Sequence, residues 1–460
     1  MRDSFLTHRL WLPILIAASS CACNLRGDAA ASRGVSLVVS GDTAGWITPC
    51  GCASRQSGGL ARRGAFVERC RQTDDVVVAD VGGTPSGASP YDVEKFTAIL
   101  RGEMAMGTSA HNVGGAEAEL GPTRLRAIAR QTGAPLVSAN ARDADGGTIA
   151  PAVRVVAAGG RRLAIVGVLS RKFATQEIRV AEPAAAVLEA LEGVQGGYDV
   201  AVVLAYLPPD ELELLARAVP EADLIVGGPT IQTLEPRRFG PTLLAAVTNK
   251  GKFVARFRAP GDGASRSWRC EIVEMDDRLP DDARQLENLA RFRQTLRKRD
   301  FTAGETSFRA PLPAQVPDNY HVAGTNACRQ CHQGDCNQWS ESKHALAWAT
   351  LEKRAADVDP FCQQCHTTGY GLPGGFASKA KSAERVAVGC ESCHGPATAH
   401  ATRPEIRTTY LARDQCLRCH DRENSPAFAY DDYWQRIRHG NDPPADRPDQ
   451  VRALTKEIVP

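Results

Sequence analysis

Between residues 35 and 275, runs of apolar residues alternate with helical stretches. "VSLVVS", "DVVVADV", "PLVSAN", "AVRVVAA", "RLAIVGVL", "DVAVVLAY", "ADLIVGG", "TLLAAV", "KFVARF" and "WRCEIVEM" read as strands, because short, β-branched apolar runs bounded by polar or Gly residues favour buried sheet. Residues 60–72, 91–102, 116–132, 183–194 and 209–219 read as helices. Buried strands separated by helices predict an α/β layered sandwich over residues 30–275. The pattern then changes. A polar, helix-prone stretch (281–300) and the Pro-containing "APLPAQVPDN" (310–319) make residues 276–317 a helical and semi-rigid linker. Residues 318–445 form a separate C-terminal domain.

The N-terminus has its own pattern. Arg2 and Arg9 precede an apolar run from Trp11 to Ala18, too short to span a bilayer and followed by small residues. Residues 1–22 therefore read as an export signal. Ala18-Ser19-Ser20-Cys21 resembles a bacterial lipobox, which implies a lipid anchor at Cys21 and contact with a membrane surface; ordinary cleavage near Ala22 is the alternative. Either way the mature chain is expected in the periplasm or another extracytoplasmic space. With 43% hydrophobic and 23% charged residues, composition is that of a folded protein of two or three domains. A net charge of +2 and the lack of a basic run interleaved with aromatics exclude nucleic acid as a partner.

The 15 cysteines carry the chemistry. Eight fall into four Cys-x-x-Cys-His units: Cys328, Cys331 and His332; Cys362, Cys365 and His366; Cys390, Cys393 and His394; Cys416, Cys419 and His420. This is the attachment signature of haem c, in which two thiols about one turn apart bond the vinyl groups and the next histidine faces the iron. Zinc sites and disulfides do not require a histidine after every second cysteine, so four haem c groups are expected. Of the ten histidines, four remain in the C-terminal domain beyond these motifs: His321, His344, His400 and His439. Four candidate distal ligands match four irons. An iron with histidine on both faces passes single electrons. His344 lies in "WSESKHALAW", read as a helix with Trp339 and Trp348 placed to pack on haem. His439 follows "YWQRIR", a helix stopped by Gly440.

"CRQCH" with "WSESKHALA", then "CQQCHTTGYG" and "CESCHGPATAH", resemble the tetrahaem cytochromes of the cytochrome c-554 family. The resemblance implies a mostly α-helical, loop-rich domain with closely packed haems. It also implies distal roles for His344 and His400 at haems other than their nearest in sequence, and electron exchange with redox partner proteins, other cytochromes or a membrane quinol oxidoreductase. In some relatives one haem lacks its sixth ligand.

The order of landmarks in the first half resembles the metallophosphatase domain of periplasmic 5′-nucleotidases and thiosulfohydrolase-type proteins, with the ligands stripped away. Asp42 survives in "SGDTAG", but Ala44 replaces a histidine and Gly83 an aspartate. Gly115 and Ala116 replace an asparagine and a histidine, with His111 outside the motif. Tyr206, Pro229 and Ile231 stand at further histidine positions. A two-metal centre needs several carboxylate and imidazole donors, so phosphohydrolase activity is not expected. "PCGC", carrying Cys50 and Cys52, leads into "GGLARR". With Cys70 and Cys270 these two form up to two structural disulfides, or by themselves they are a redox-active dithiol. The leading reading is an electron-transfer protein with a catalytically dead docking or redox-input domain. The alternative is an oxidoreductase acting on a small nitrogen or sulfur compound at an open haem or at Cys-Gly-Cys.

Overall fold

The computed structural model of the chain describes residues 33–49, 55–230, 234–247, 249–260, 267–308, 320–408 and 412–439. Two six-stranded sheets build the N-terminal part. The first runs, edge to edge, Arg269–Glu274, Phe253–Ala259, Gly34–Ser40, Asp74–Asp80, Thr108–Asn112 and Leu136–Val137. The second runs Leu234–Phe239, Thr242–Ala246, Leu224–Gly228, Val200–Tyr206, Arg161–Leu169 and Val153–Ala158. Gly34–Ser40 pairs in parallel with Asp74–Asp80 and antiparallel with Phe253–Ala259, so the first sheet is parallel from Gly34–Ser40 to its Leu136–Val137 edge and antiparallel at the other side, while the second has a parallel centre with an antiparallel strand at each edge. Every residue of Gly34–Ser40 and of Val200–Tyr206 is buried. Burial on both faces is why these strands read as unbroken apolar runs.

The sheets share one core, in which Val35, Leu37 and Val39 join Ile165, Val202 and Leu204. Helices Pro183–Glu192 and Pro209–Ala218 cover the outer face of the second sheet through Val187, Leu191, Leu212 and Leu215. Helices Leu60–Arg71, Pro90–Ala105 and Ala283–Arg299 cover the first through Phe66, Ile99 and Phe292. The result is the expected layered α/β sandwich.

Two local differences have physical causes. The helix read over 116–132 is two, Gly115–Glu119 and Pro122–Thr132, because Gly121 takes a φ of 76° and Pro122 starts a new helix. The strand Thr108–Asn112 is absent from the sequence reading. "TSAHN" has no apolar alternation, and its burial is sustained by polar bonds described below.

The 283–299 stretch of the expected linker is packed on the sandwich. Asp282 caps it by accepting from the Gln285 N–H, while Gln285 and Asn288 side chains donate to the Gly102 and Ala98 carbonyls at 2.9 and 2.8 Å. At its end Asp300 accepts from the Ser378 hydroxyl and the Lys379 and Ala380 N–H groups, tying it to the C-terminal part. That part is a set of short helices around a small cluster of Trp348, Leu351, Tyr370 and Phe376. The two parts touch directly. Tyr91 donates to Asp359 at 2.6 Å, Lys95 lies 4.7 Å from the Phe361 ring centre, and Trp46 meets Phe361 edge-on at 6.3 Å. Among the described residues no helix is long and apolar enough to cross a membrane.

Candidate functional site

Each Cys-x-x-Cys-His unit is wound into a single helical turn. The His332 N–H donates to the Cys328 carbonyl at 2.9 Å, and the His420 N–H donates to that of Cys416 at 2.8 Å. Motifs two and three lie within helices Pro360–His366 and Cys390–His394. One turn brings both thiols to one side of the backbone with the imidazole beside them. Motifs also abut one another. The Cys328 thiol hydrogen-bonds Cys390, which lowers the Cys390 thiol to about 6, and a Cys365–Cys419 bond lowers Cys419. First and third motifs are therefore neighbours, as are second and fourth. Glu391, inside the third motif and buried, accepts from the Ala323, Gly324 and Ala397 N–H groups at 2.8, 2.6 and 2.8 Å.

Three of the four motif histidines face a second histidine. His332 and His400 have ring centres 6.1 Å apart, His420 and His344 6.2 Å, and His394 and His439 6.0 Å. Two imidazoles on opposite sides of one metal ion, with bonds of about 2 Å each, place their ring centres roughly 6 Å apart. The spacing in all three pairs fits a shared iron. Each partner comes from a segment remote from the motif it meets.

The nitrogen that must carry the proton is also settled by geometry. His366 Nδ1 lies 2.8 Å from the Ala347 carbonyl, His400 Nδ1 2.9 Å from that of Ile406, and His439 Nδ1 3.0 Å from that of Ile437. A carbonyl only accepts, so Nδ1 is the donor and Nε2 keeps a free lone pair for a metal. His420 Nδ1 lies 3.1 Å from the Ser425 hydroxyl. Burial lowers the His344, His366 and His420 imidazoles below their usual range, which favours the neutral, ligating form. These residues fit haem c.

His321 is placed differently. It is exposed, its ring rests against Gly374, and no ring contact joins it to a motif histidine among the described residues. His344 lies in the turn between helices Gln333–Ser340 and Ala347–Glu352 rather than inside a helix. The bend lets its ring leave the segment toward His420. Trp348 is buried against Phe376 in the apolar cluster, and Trp339 donates to the Val388 carbonyl.

In the sandwich, the cleft at the strand ends is filled. A Cβ at Gly83 would lie 2.6 Å from the Tyr206 ring and 2.8 Å from its hydroxyl. A Cβ at Gly115 would lie 2.7 Å from Phe173, whose ring packs on Tyr206 at 5.1 Å. Ile231, Cys50 and Cys52 lie outside the described residues, and Cys70 and Cys270 are free thiols. Beneath the cleft is a buried network that the sequence reading missed. Ligand atoms of Asp80, Glu103 and His111 lie within 4.8 Å of one another. His111 reaches Glu103 at 2.8 Å and Glu117 at 3.2 Å, while Arg63 stands 3.7 Å from Asp80 and donates to the Ser40 and Thr43 hydroxyls. Burial alone would lower the His111 imidazole, but the Glu103 charge and the bonds to Glu103 and Glu117 hold it well above its usual range. Arg63 and protonated His111 already supply the cations these carboxylates need. The donor set does not fit a two-metal centre.

Known proteins match the two parts separately. Residues 327–395 match the family model described as cytochrome c554 and c-prime. The curated cytochrome c-554 of Nitrosomonas europaea is 33% identical over 88 residues, covering 16% of this chain and 37% of that protein. The chain thus spans little more than a third of that relative's length. The family implies covalently bound haem c, in agreement with the motif geometry. Among solved structures, the calcineurin-like phosphoesterase YfkN of Bacillus subtilis aligns with a TM-score of 0.50 at 14% identity, over 57% of this chain and 97% of its own. A 5′-nucleotidase precursor of Thermus thermophilus aligns with a TM-score of 0.49 at 18% identity, over 77% and 73%. At such identity the YfkN likeness shows the fold alone: the N-terminal part is a metallophosphatase-like α/β sandwich.

The cytochrome c554-like region holds the first three motifs, and the fourth follows it in the same helical part. The sequence reading did not find Ser425 or Glu391. Neither has a motif of its own.

Proposed function

We propose that the chain is an exported multihaem cytochrome that passes single electrons through four covalently bound haems, three of them with histidine on both faces. The observation that carries this is the set of three remote histidine pairs at one common spacing of 6.0–6.2 Å. The Cys-x-x-Cys thiols would hold each macrocycle, and His332–His400, His420–His344 and His394–His439 would hold three irons. Haem supplies one-electron chemistry when bound. The residues fix ligand orientation through Nδ1 and bring the sites close together. Contacts of the first motif with the third and of the second with the fourth come from the cysteine pairs. Packing of helix Cys390–His394 on Ala412–Leu417 links the third to the fourth. The array then reads one, three, four, two.

The sandwich serves this array as a docking or input module without phosphohydrolase activity. It touches the second and fourth motifs, through Phe361 beside Cys362 and Glu423 beyond His420. Trp46 and Gln56, which flank Cys50 and Cys52 in sequence, make contacts at those two places, in line with a dithiol input. Export and a lipid anchor at Cys21 follow from the N-terminal segment, and partners would be other redox proteins.

A second reading is favoured at one place. His366 meets no second histidine ring among the described residues, so the second haem would keep an open face for a small nitrogen or sulfur compound. One experiment tests both readings. Pyridine haemochrome analysis should give four haems per chain, and electron paramagnetic resonance should show three low-spin sites and one high-spin site. Two or fewer haems in fully matured protein would sink the first reading, and four low-spin signals the second.

A further inference from the structure

We propose that the docked sandwich tunes one iron site, that of His420 and His344, by gripping the turn 421–425. This rests on the reading of those two histidines as the ligands of one haem.

The turn has two outputs. Asp421 organises it: its carboxylate accepts from the Glu423 and Asn424 N–H groups at 2.9 and 2.6 Å, and its carbonyl accepts from the Ser425 N–H at 2.8 Å. On the inner side Ser425 presents its hydroxyl to His420 Nδ1 at 3.1 Å. On the outer side Glu423 is held by the sandwich. Its carboxylate pairs with Lys252 at 2.7 Å and with Lys250, and its carbonyl accepts from the Gln56 side chain at 3.1 Å. Two residues therefore separate a contact between domains from the hydrogen bond that orients His420, which would hold an iron.

The grip is rigid on the sandwich side. Lys250 and Lys252 flank Gly251, which has a φ of 63°, and lead into the strand Phe253–Ala259. Both ammonium groups lie over the Trp46 ring, at 5.2 and 5.3 Å. The side chains of Lys252 and Glu423 are 19% and 23% exposed, so the pair is less screened than a surface ion pair. The other histidines differ. His366, His400 and His439 direct Nδ1 to backbone carbonyls of the helical part itself, which the sandwich does not grip in this way.

The acceptor on Nδ1–H raises the basicity of the imidazole, which would favour the ferric state of a bound iron. Ser425→Ala removes that acceptor and should raise the midpoint potential of the His420–His344 site while leaving three sites unchanged. The lysines act at this site partly as charges and partly, by our inference, by positioning Ser425. A double-mutant cycle separates the two. Midpoint potentials are followed by spectroelectrochemistry, with the site assigned by the low-spin signal that His344→Ala abolishes. In the Lys250→Gln/Lys252→Gln background, Ser425→Ala should shift the potential by less than half of its effect in the wild-type chain. Equal shifts in both backgrounds would mean that the lysines act only as charges, and would overturn the proposal. Should the double lysine variant fail to load four haems, the same cycle is run with Gln56→Ala and Glu423→Gln. If His344→Ala removes no low-spin signal, the underlying ligand assignment has failed instead.

Discussion

At the scale of single residues, the distal histidines and the buried His111 make opposite demands on the proton. His400 must offer the lone pair of Nε2 to a metal, and its Nδ1 bond to the Ile406 carbonyl at 2.9 Å selects the tautomer of the neutral ring that can do so. His400→Ala should therefore turn one of three low-spin signals into a high-spin one without loss of covalent haem, since Cys328 and Cys331 are untouched. Retention of all three low-spin signals would disprove the His332–His400 pair. His111 is instead held protonated. Its raised folded pKa means that its contribution to stability is fully present below its unfolded value of about 6.5 and is lost as pH rises through the folded value. Burial, then the Glu103 charge, also pushes Asp80 up to about 6. Its proton is held more tightly in the folded chain, so stability falls further between the unfolded value of about 3.9 and 6. Thermal unfolding of the sandwich, followed by circular dichroism, should fall steadily in midpoint from pH 6.5 upward. His111→Gln should flatten that slope, and a profile unchanged by the substitution would refute the assignment. The four motifs stand out in the sequence because covalent attachment demands fixed residue types at a fixed spacing, and the structure brings three of the four further histidines opposite motif histidines. Asp80, Glu103, Glu117 and Arg63 were not, because a buried charge network has no spacing rule along the chain.

Elements were legible in proportion to how apolar they are. Gly34–Ser40 and Val200–Tyr206, buried at every position, stand out in the sequence. Thr108–Asn112 does not, since its burial depends on His111 and on Asn112, whose side chain donates to the Val81 and Val168 carbonyls at 3.0 Å. The 283–299 helix looked like a linker because its charges are frequent; Gln285, Asn288, Phe292 and Leu296 are buried, with Leu289 packed beside them. Strand ends matter most in the cleft. Gly83 has a φ of 78° and no room for a Cβ beside Tyr206. Restoring an aspartate there should therefore not restore a metal site. Gly83→Asp should cost about 1–3 kcal/mol from left-handed backbone strain, with a comparable contribution from overpacking. It should leave nucleotide hydrolysis with manganese or zinc at the buffer rate. Metal-dependent turnover in this variant, or undiminished stability, would show that Tyr206 does not plug the cleft.

At the scale of the whole molecule, the question is whether sandwich and haem-binding part behave as one body. Val358 of the helical part sits in the same apolar cluster as Phe66, Val67 and Tyr91 of the sandwich. Phe361 adds edge contacts to Trp46 and Phe308 at 6.3 and 5.7 Å and lies under Lys95. An aromatic pair contributes about 0.5–1.5 kcal/mol beyond its area, and a desolvated cation over a ring up to about 2 kcal/mol. Summed with the Tyr91–Asp359 bond and the lysine pair on Glu423, the junction is comparable to a sizeable part of the stability of an ordinary domain. A fixed junction is also what the proposed input role would require, because electrons would have to reach the second and fourth motifs from a constant position. The holoprotein should then unfold in one transition, with haem absorbance and far-ultraviolet circular dichroism changing together. Phe361→Ala removes three ring contacts at once. Because Phe361 is only partly buried, its loss should cost no more than the roughly 3 kcal/mol at the lower end for a buried phenylalanine. That is enough to separate the two signals by several degrees, while four covalent haems remain. Separate transitions in the unsubstituted chain would mean that the sandwich is merely tethered, and coincident ones in Phe361→Ala that the coupling resides elsewhere in the junction.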